Sequence, residues 1–434
     1  MKRIYYYLKL TQKAPLRLSN GDGEETDNDL RLDARGLPYI PGTALAGVLR
    51  SYMTEEDAKR IFGDVDIQES IKTKENAASS SKLIVSDAVM APDAEIKDVS
   101  IMNRDGVGLD DWGQTIRGAK YDFQVVETTR PYYGVLEWFG DETSEKIEIQ
   151  GLIEPLLQRL SKKDISFGAR TSRGYGEMLM QIHKKEFEYP RDLKEWLDYY
   201  PLKERFRKEQ AGNPLEGKNE GNNYTEIKVH IVMEGSFNIR VNTARAECLP
   251  DGSIPDSVPL MNAQGKPVIP GTAWAGAFRH HIHRILRESG MTGSSYEEQI
   301  KRIDYECFGM SHKKELAHKK SRISFFETAI EGGMANTITR NAVDRYTAAP
   351  KNTGLFTNQV WTGGEGCLRI CIDNKVSESD VELLLTAIYD MGLGLLTIGG
   401  EAGIGRGIIK VTELEIDGIT RNEILEAGLM RLQS

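Results

Sequence analysis

The chain has 434 residues, of which 39% are hydrophobic and 28% are charged. This composition is typical of a globular protein with room for about two or three domains, and no apolar run approaches the roughly 18 to 20 residues of a membrane helix. The net charge of −9 argues against binding of nucleic acid through bulk positive charge, so any such binding must depend on local sites.

The first half contains, in order, a predicted strand, a helix, further strands, a helix and a last strand. MKRIYYYLKL lacks the apolar core and cleavage site of a signal peptide, so we expect a strand here and a cytoplasmic protein. A polar loop then leads to a helix that begins at Pro41-Gly42-Thr43. The later elements are strands in SKLIVSDAVM and QVVETTRPYYGVLEWF, a helix in EKIEIQGLIEPLLQRLSK and a last strand in EMLMQIHKKEF.

The second half has the same predicted order after a polar segment, residues 208–226, which is rich in Gly and Asn and is typical of a flexible linker. Before it, DLKEWLDYYPLKERF predicts a short helix interrupted at Pro201. We therefore expect a first domain at 1–190, a linker with a short helix at 191–224 and a second domain at 225–434. The element order fits an α+β, β-α-β-β-α-β core of the ferredoxin-like kind.

Two motifs recur in the same order in both halves, which indicates a duplicated domain. GLPYIPGTALAGVLR, from Gly36, recurs as GKPVIPGTAWAGAFR, from Gly265. FGARTSRGYG, from Phe167, matches IGGEAGIGRG, from Ile398, at nearly the same offset.

Each motif contains residue types that suit an anion. The first motif places a glycine at a helix start, where free amides and the helix dipole attract a phosphate, and ends on an arginine. The second combines glycines, whose backbone can approach a phosphate closely, with arginines that bind it. The alternatives are an ordinary capped helix and a tight turn between a helix and a strand. The residues of these motifs that are candidates for contact with a phosphate are Gly42, Thr43, Arg50, Gly168, Arg170, Arg173, Gly174 and Gly176 in the first half, and Gly271, Thr272, Arg279, Gly399, Gly403, Gly405, Arg406 and Gly407 in the second.

On these motifs the chain resembles the RAMP superfamily of CRISPR-associated proteins, and in particular the backbone subunits of type III CRISPR effector complexes. The resemblance covers both halves and omits the linker. It implies two tandem ferredoxin-like (RRM-like) RAMP domains, each with a palm that binds crRNA and a protruding thumb hairpin. It also implies three partners: crRNA, target RNA and other subunits of the complex. No membrane is involved.

The resemblance further implies that target RNA is cleaved by an aspartate in the loop between the first strand and the helix of the first motif. Asp27 and Asp256 occupy that position, 229 residues apart, which is also the offset of the motif. Each would bind Mg²⁺ or Mn²⁺ weakly beside the RNA backbone. A lone loop aspartate is otherwise a solvated residue. Several nearby aspartates are rivals for the role: Asp22, Asp29, Asp33 and Asp251.

This sequence departs from the family pattern at several positions. Alanines stand where many relatives have Ser and Lys in the helix start: Ala44, Ala46, Ala273 and Ala275. Asn262 replaces a later acidic residue of the second loop, and Glu401 stands where the first half has Arg170. We expect Glu401 to repel phosphate, so the second copy should hold RNA less tightly.

Residues 102–126 and 338–361 are the expected thumbs, because they mix basic and aromatic residues that contact phosphates and bases. Arg340 and Arg345 are the candidate RNA contacts of the second thumb. Three histidines, His280, His281 and His283, are expected to face RNA or solvent. The cysteines Cys248, Cys307, Cys367 and Cys371 are expected to be core thiols.

Three functions follow from these residues. The first is a crRNA-binding subunit that acts as a metal-dependent endoribonuclease on guide-paired target RNA at up to two sites. The second is a structural crRNA-binding scaffold whose aspartates do not cut. The third is a metal-independent crRNA-processing endonuclease, which usually depends on histidine acid-base groups; neither acidic loop contains a histidine.

Overall fold

The chain folds into two units, each built on one antiparallel sheet. The structure is a computed structural model, and it describes the residues 1–19, 21, 26, 29–65, 78–109, 115–207, 213–217, 223–241, 254–290, 293–309 and 319–425. Unit 1 comprises Met1–Met102, Gln124–Thr171 and Tyr175–Gly221. Unit 2 comprises Asn103–Phe123, Ser172–Gly174 and Asn222–Ser434.

Eleven strands and six helices lie before the second copy of the repeat in the part of the chain that the structure describes. The strands are β1 (Lys2–Gln12), β2 (Asp64–Val65), β3 (Ala78–Ser79), β4 (Leu83–Val85), β5 (Val89–Met90), β6 (Val99–Leu109), β7 (Thr115–Thr128), β8 (Tyr132–Gly140), β9 (Ile165–Ser166), β10 (Glu177–Glu188) and β11 (Asn213–Pro214). The helices are α1 (Gly42–Ser51), α2 (Glu55–Phe62), α3 (Glu142–Ser144), α4 (Glu154–Leu160), α5 (Leu193–Leu197) and α6 (Pro201–Glu204), with a π-helical segment (Glu145–Ile153) that joins α3 to α4.

The second copy contributes the remaining described elements. Its strands are β12 (Tyr224–Glu234), β13 (Ser236–Phe237), β14 (Arg240–Val241), β15 (Val258–Pro259), β16 (Val268–Ile269), β17 (Ile323–Phe325), β18 (Thr328–Ala329), β19 (Met334–Val343), β20 (Pro350–Thr362), β21 (Glu365–Asp373), β22 (Ile408–Ile416) and β23 (Ile419–Thr420). Its helices are α7 (Gly271–Glu288), α8 (Gly293–Glu306) and α9 (Glu378–Gly392).

The first strand of each half lies at the centre of its sheet. The sheet of unit 1 has the order β11-β10-β1-β8-β4, and that of unit 2 has the order β17-β21-β12-β22-β23. All of these pairings are antiparallel. Along β12, alternate residues such as Val229 and Ile231 enter the core, which α7 and α9 also line. This alternation is the expected pattern of a strand with one face on the core.

Two long hairpins extend the units. One joins β6 to β7, and the other joins β19 to β20, with β13 added beside β20. The second hairpin ends in a turn in which the Asp344 carboxylate accepts the backbone N–H groups of Tyr346 and Thr347 at 3.0 and 2.9 Å. These hydrogen bonds lower the pKa of Asp344.

The predicted strands and helices are present, and the structure adds elements that the sequence reading did not include. The helices α2 and α8 follow the motif helices α1 and α7. The sequence signal for the start of α2 is Thr-x-x-Asp, which is typical of a helix N-cap. In the structure the Thr54 hydroxyl accepts the Asp57 N–H at 3.2 Å. Both helices are mostly polar, a composition that is also typical of loops, so the sequence did not predict them.

Two of the three histidines of α7, His281 and His283, are buried, so the expectation that they face RNA or solvent was wrong for these two, whereas His280 is partly exposed. His281 contacts Asp390 at 2.7 Å, and His283 contacts Asp304 at 2.9 Å. Arg279, expected to bind RNA, instead forms an ion pair at 3.2 Å with Asp304, which is fully buried. Burial lowers the pKa of His281 despite its carboxylate partner, so this side chain is suited to a neutral role in the core.

We predict that Asp304→Ala strongly destabilises unit 2, because it leaves a partly buried arginine and a buried histidine without their shared partner. Loss of one member of a buried ion pair typically costs about 3–5 kcal/mol. Chemical unfolding monitored by circular dichroism measures the effect. The control is Glu297→Ala, which removes an exposed pair with Lys301. Equal unfolding midpoints for the two variants would contradict the assignment.

Candidate nucleic-acid interface

The loop that contains Asp256 is fastened to the strand β20 of the second hairpin. The Asp256 N–H donates to the Thr357 carbonyl at 2.7 Å, and the Thr357 N–H donates to Asp256 Oδ2 at 2.7 Å. The Gln359 N–H donates to the Ser257 carbonyl at 2.9 Å. The residue Asp256 is exposed. Its carboxylate is therefore held beside the middle of the hairpin and is open to a ligand.

The first candidate aspartate, Asp27, lies outside the described residues, as do its rivals Asp22 and Asp251. Of the remaining rivals, Asp29 accepts hydrogen bonds from the N–H and hydroxyl of Thr26 at 2.9 and 2.8 Å. It therefore has a structural role within its own loop.

Asp33 and Asn262 each accept two backbone N–H groups of the turn that follows them in the two copies. Asp33 Oδ1 accepts the N–H groups two and four residues later, at 2.8 and 3.1 Å. Asn262 Oδ1 does the same at 3.1 and 2.9 Å. This is a side-chain-capped turn that either residue can make. The absence of an acid at 262 therefore does not weaken the case for Asp256.

The glycine-rich loops of the two halves have matching backbones. The glycines Gly168, Gly174 and Gly176 have φ values of 84°, 79° and 76°, and the equivalent residues Gly399, Gly405 and Gly407 have 84°, 82° and 75°. Even the non-glycine pair Arg170 and Glu401 shares a left-handed φ, at 59° and 67°. Such a backbone favours glycine and explains why the motif is preserved in both copies.

Three backbone N–H groups of these loops donate hydrogen bonds to carbonyls of the protein itself. The N–H groups of Gly176 and Gly407 donate to the carbonyls of Pro15 and Ser236 at 2.8 and 2.9 Å, and that of Gly405 donates to Ala402 at 2.9 Å. A Cβ on Gly407 would overlap the Ile398 carbonyl. These three amides are not open to a phosphate in this structure, so these three glycines act as turn residues.

Glu401 brings together arginines from three separate segments. Its carboxylate pairs with Arg340 of β19, with Arg406 at 2.8 Å and with Arg240 of β14 at 3.6 Å. The Asn358 side chain also donates to Glu401 at 3.3 Å. We call these three arginines with Glu401 the arginine cluster.

The arginine cluster retains an excess of positive charge, since three guanidinium groups face one carboxylate. Burial alone would raise the pKa of Glu401, but the hydrogen bond and charge of Arg340 and the charge of Arg406 outweigh it, and the pKa is lowered. The expectation that Glu401 simply repels phosphate is therefore wrong, because its charge is compensated by arginines that it positions. Arg240 is about half exposed and can reach a ligand.

The arginine cluster and Asp256 are close along the same strand. Thr357, which holds Asp256, precedes Asn358, which contacts Glu401. A single strand thus connects an exposed carboxylate with a group of arginines. Arginine forks bind phosphate through paired charge-assisted hydrogen bonds, so this surface can hold a phosphodiester near a carboxylate.

The helix starts of the first motif have internal partners. The Gly42 N–H donates to the Asp87 carboxylate at 2.7 Å. The amide that the sequence predicts to bind a phosphate therefore already has a hydrogen-bond partner in the protein. Arg50 donates to the Gly63 carbonyl at 3.3 Å. Within unit 2, Gly271 lies against the backbone carbonyls of Phe325 and Arg173. Thr43 is exposed and Thr272 is partly exposed.

Two further candidate residues, Arg173 and Gly174, are packed inside unit 2. Arg173 donates to the Phe308 carbonyl at 3.1 Å, and a Cβ on Gly174 would crowd the backbone of Phe326. Other candidates are exposed, among them Gly403, which has open space around it, and Arg345 near the hairpin turn; the remaining exposed ones are Thr43, Gly168, Gly399 and Gly405.

Comparison with known families identifies the repeat. The RAMP superfamily matches the chain over residues 9–178 and again over 250–410. The chain belongs to the RAMP superfamily. The two matched regions contain both copies of each motif, so this is a tandem RAMP protein. None of the curated proteins matches the sequence.

One solved structure related to this RAMP protein is described as "Cryo-EM structure of the Type III-B Cmr-beta bound to cognate target RNA". The identity is 15%, the TM-score is 0.32, and the match covers 44% of this chain. The chain spans 60% of the length of that protein.

Among the helices that the structure describes, none has the length and hydrophobicity to cross a bilayer.

The sequence reading missed the residues that assemble the site of the second RAMP repeat. Arg240 and Asn358 were not among the candidates, because no motif contains them and only the fold brings them to Glu401. Arg104 was also missed; it is buried and pairs with Glu327 in unit 2. The charged residues of 102–126 include Arg104, but no sequence pattern indicates its partner, which lies more than 200 residues later.

We predict that Gly407→Ala destabilises the chain by more than about 2 kcal/mol, because alanine is strained at a left-handed φ and its Cβ would overlap a carbonyl. The matched control is Gly403→Ala in the same loop, where φ is ordinary and a Cβ meets open space. Thermal unfolding of both variants provides the comparison. A Gly407→Ala protein as stable as the control would show that the loop is not the tight turn described above.

Proposed function

We propose that this RAMP protein is a crRNA-binding backbone subunit of a type III CRISPR effector complex, located in the cytoplasm, that cleaves guide-paired target RNA at Asp27 and Asp256. The observation that carries the proposal is the arginine cluster beside Asp256, which combines phosphate-binding groups with an exposed carboxylate. Guide RNA, target RNA and the other subunits are the proposed partners.

Each unit would be a ferredoxin-like palm, and the hairpins β6–β7 and β19–β20 would be thumbs. The sheet orders support the palms, because the first strand is central in both and pairs antiparallel with the last long strand and with the strand before the second helix. The second hairpin supports a thumb, because its end exposes Arg345 and Tyr346, side chains that can contact a phosphate and stack on a base.

Asp256 fits a weakly held hard cation. It offers an exposed carboxylate, one oxygen of which accepts the Thr357 N–H while the group remains open to solvent. Mg²⁺ commonly binds through one or two carboxylates and keeps several waters. When bound, Mg²⁺ or Mn²⁺ would stabilise negative charge at the phosphate. Asp27 is proposed for the same role in the first copy.

The residues of the chain have separate tasks in the proposed cleavage. Arg240 and Arg340, which are partly exposed, would hold RNA phosphates, while the buried Arg406 would hold Glu401 in place. The β20 strand would set the distance between the phosphodiester and Asp256. The Asp256 carboxylate, or a water that it orients, would accept the proton of the attacking 2′-hydroxyl. Sequence choice would come from base pairing between guide and target, with the protein reading the backbone.

The scaffold function remains the alternative and differs only in whether the aspartates cut. The crRNA-processing function gains no support from the fold, since His281 and His283 are buried against Asp390 and Asp304 and are not placed to meet RNA.

We predict that Asp256→Asn and Asp27→Asn each remove one cut in a guide-paired target RNA. The amide at 256 can still accept the Thr357 N–H, so the variant tests the charge and leaves the loop in place. Cut positions are read on a sequencing gel with the assembled complex and Mg²⁺, and Asp22→Asn tests the rival aspartate of the first loop. If the parent complex cuts and all three variants leave every cut unchanged, the result contradicts cleavage at these aspartates and supports the scaffold function.

We also predict that Glu401→Gln makes RNA binding more salt-dependent. Removing the carboxylate frees guanidinium charge for phosphate, and each added phosphate contact changes the slope of log K against log salt by about 0.7 for single strands. Fluorescence anisotropy with a short single-stranded RNA measures the slope. Glu382→Gln, an exposed residue of α9, removes the same charge outside the arginine cluster. Identical slopes for the two variants would show that only net charge matters.

A further inference from the structure

The sheet of unit 2 has a polar outer face on which a histidine and two glutamates converge. His230 lies between the buried residues Val229 and Ile231 on β12, so it points away from the core. Glu413 and Glu415 flank the buried Leu414 on β22 and point to the same side. The placement of the three side chains therefore follows from strand alternation.

A local irregularity of the ladder borders these side chains, which themselves lie in its regular part. The pairing of β12 with β22 shifts between His230 and Ile231, so that His230 is opposite Glu413 and Ile231 is opposite Val411. Bulges of this kind redirect side chains and recur beside functional sites. His230 Nε2 lies 3.0 Å from a Glu415 oxygen, and one ligand atom from each of the three residues lies within 4.8 Å of the others.

Two of the three residues, His230 and Glu413, border an open cavity of about 520 Å³. Its lining includes His230 and Glu413 and adds two further carboxylates, Glu331 and Glu365. Cys367, which we had expected in the core, also lines the cavity and is paired with His230 across the strands. Lys266 pairs with Glu331 at 2.6 Å. The cavity thus has more acidic than basic groups and attracts a cation.

We propose that His230, Glu413 and Glu415 form a binding site for a divalent transition-metal ion of the zinc class. One imidazole and two carboxylates are a common ligand type for Zn²⁺, which binds nitrogen and oxygen at about 2.0–2.2 Å and can take a water as its fourth ligand. Ligand atoms around such an ion are about 3.3 Å apart, so the observed spacing needs only a small adjustment of the glutamate side chains. The imidazole distinguishes this site from an all-oxygen Mg²⁺ site.

One of the donor side chains already has a hydrogen bond that orients it. The Glu413 carboxylate accepts the Thr420 hydroxyl at 3.0 Å. Such outer contacts restrict ligand side chains and support a metal site. The corresponding outer face of unit 1 is different, because Tyr5 and Tyr7 pack there against Trp196 and Tyr199. The site therefore distinguishes the second repeat from the first.

The test is Zn²⁺ binding by the full chain after exhaustive chelation. Competition with a chromophoric zinc chelator should give one equivalent bound, and His230→Ala and Glu413→Gln should each weaken binding at least 10-fold. Zn²⁺ should also raise the thermal unfolding midpoint of the parent and not that of His230→Ala, since a ligand of the native state stabilises it. Glu226→Gln, on the same face of β12 but outside the three ligands, is the matched control.

The outcomes separate this site from the proposed cleavage site. Retained binding in Asp256→Asn supports the assignment, and its loss there would overturn it by locating the ion at Asp256. No stoichiometric binding by the parent, or equal binding by His230→Ala, would also overturn it. Target cleavage does not enter the readout, so the result is independent of the proposed function.

Discussion

The proposed function of the second repeat depends on the contact between Glu401 and three arginines. Arg240, Arg340 and Arg406 belong to different segments, and without a shared anion their charges would repel one another at close range. The carboxylate assembles them while leaving a net positive charge. An acidic protein can in this way present a local basic surface, because a few positioned guanidinium groups attract phosphate more strongly than the average charge suggests.

Backbone constraints explain why the two copies remain recognisable. The glycine-rich loops need left-handed φ values at equivalent positions and have little space for a Cβ where the loop closes, as at Gly176 and Gly407. The turn before the motif helix needs a side-chain acceptor, which Asp33 and Asn262 both supply. Residues outside these constraints have diverged, and the outer faces of the two sheets differ accordingly.

The sequence predicted the fold better than the site. Repeats, strand alternation and the helix starts are local signals, and they located the central strands and the motif helices. Arg279 and His283 looked like surface residues because their partner Asp304 lies on a separate helix that the pattern did not reveal. The glycines were read as phosphate ligands, whereas their amides close the loops. Long-range pairs such as Asn358 with Glu401 arise only from the fold.

The central claim is that RNA phosphates bind at the arginine cluster with the scissile bond beside Asp256. The most direct measurement is a cryo-EM structure of the assembled complex with guide and target RNA, made with Asp256→Asn to prevent cleavage. The account predicts an RNA phosphate in contact with Arg240 or Arg340, and a target phosphate within about 5 Å of residue 256, the reach of a shared hydrated cation. RNA that passes elsewhere, with the arginines still bound only to Glu401, would contradict it.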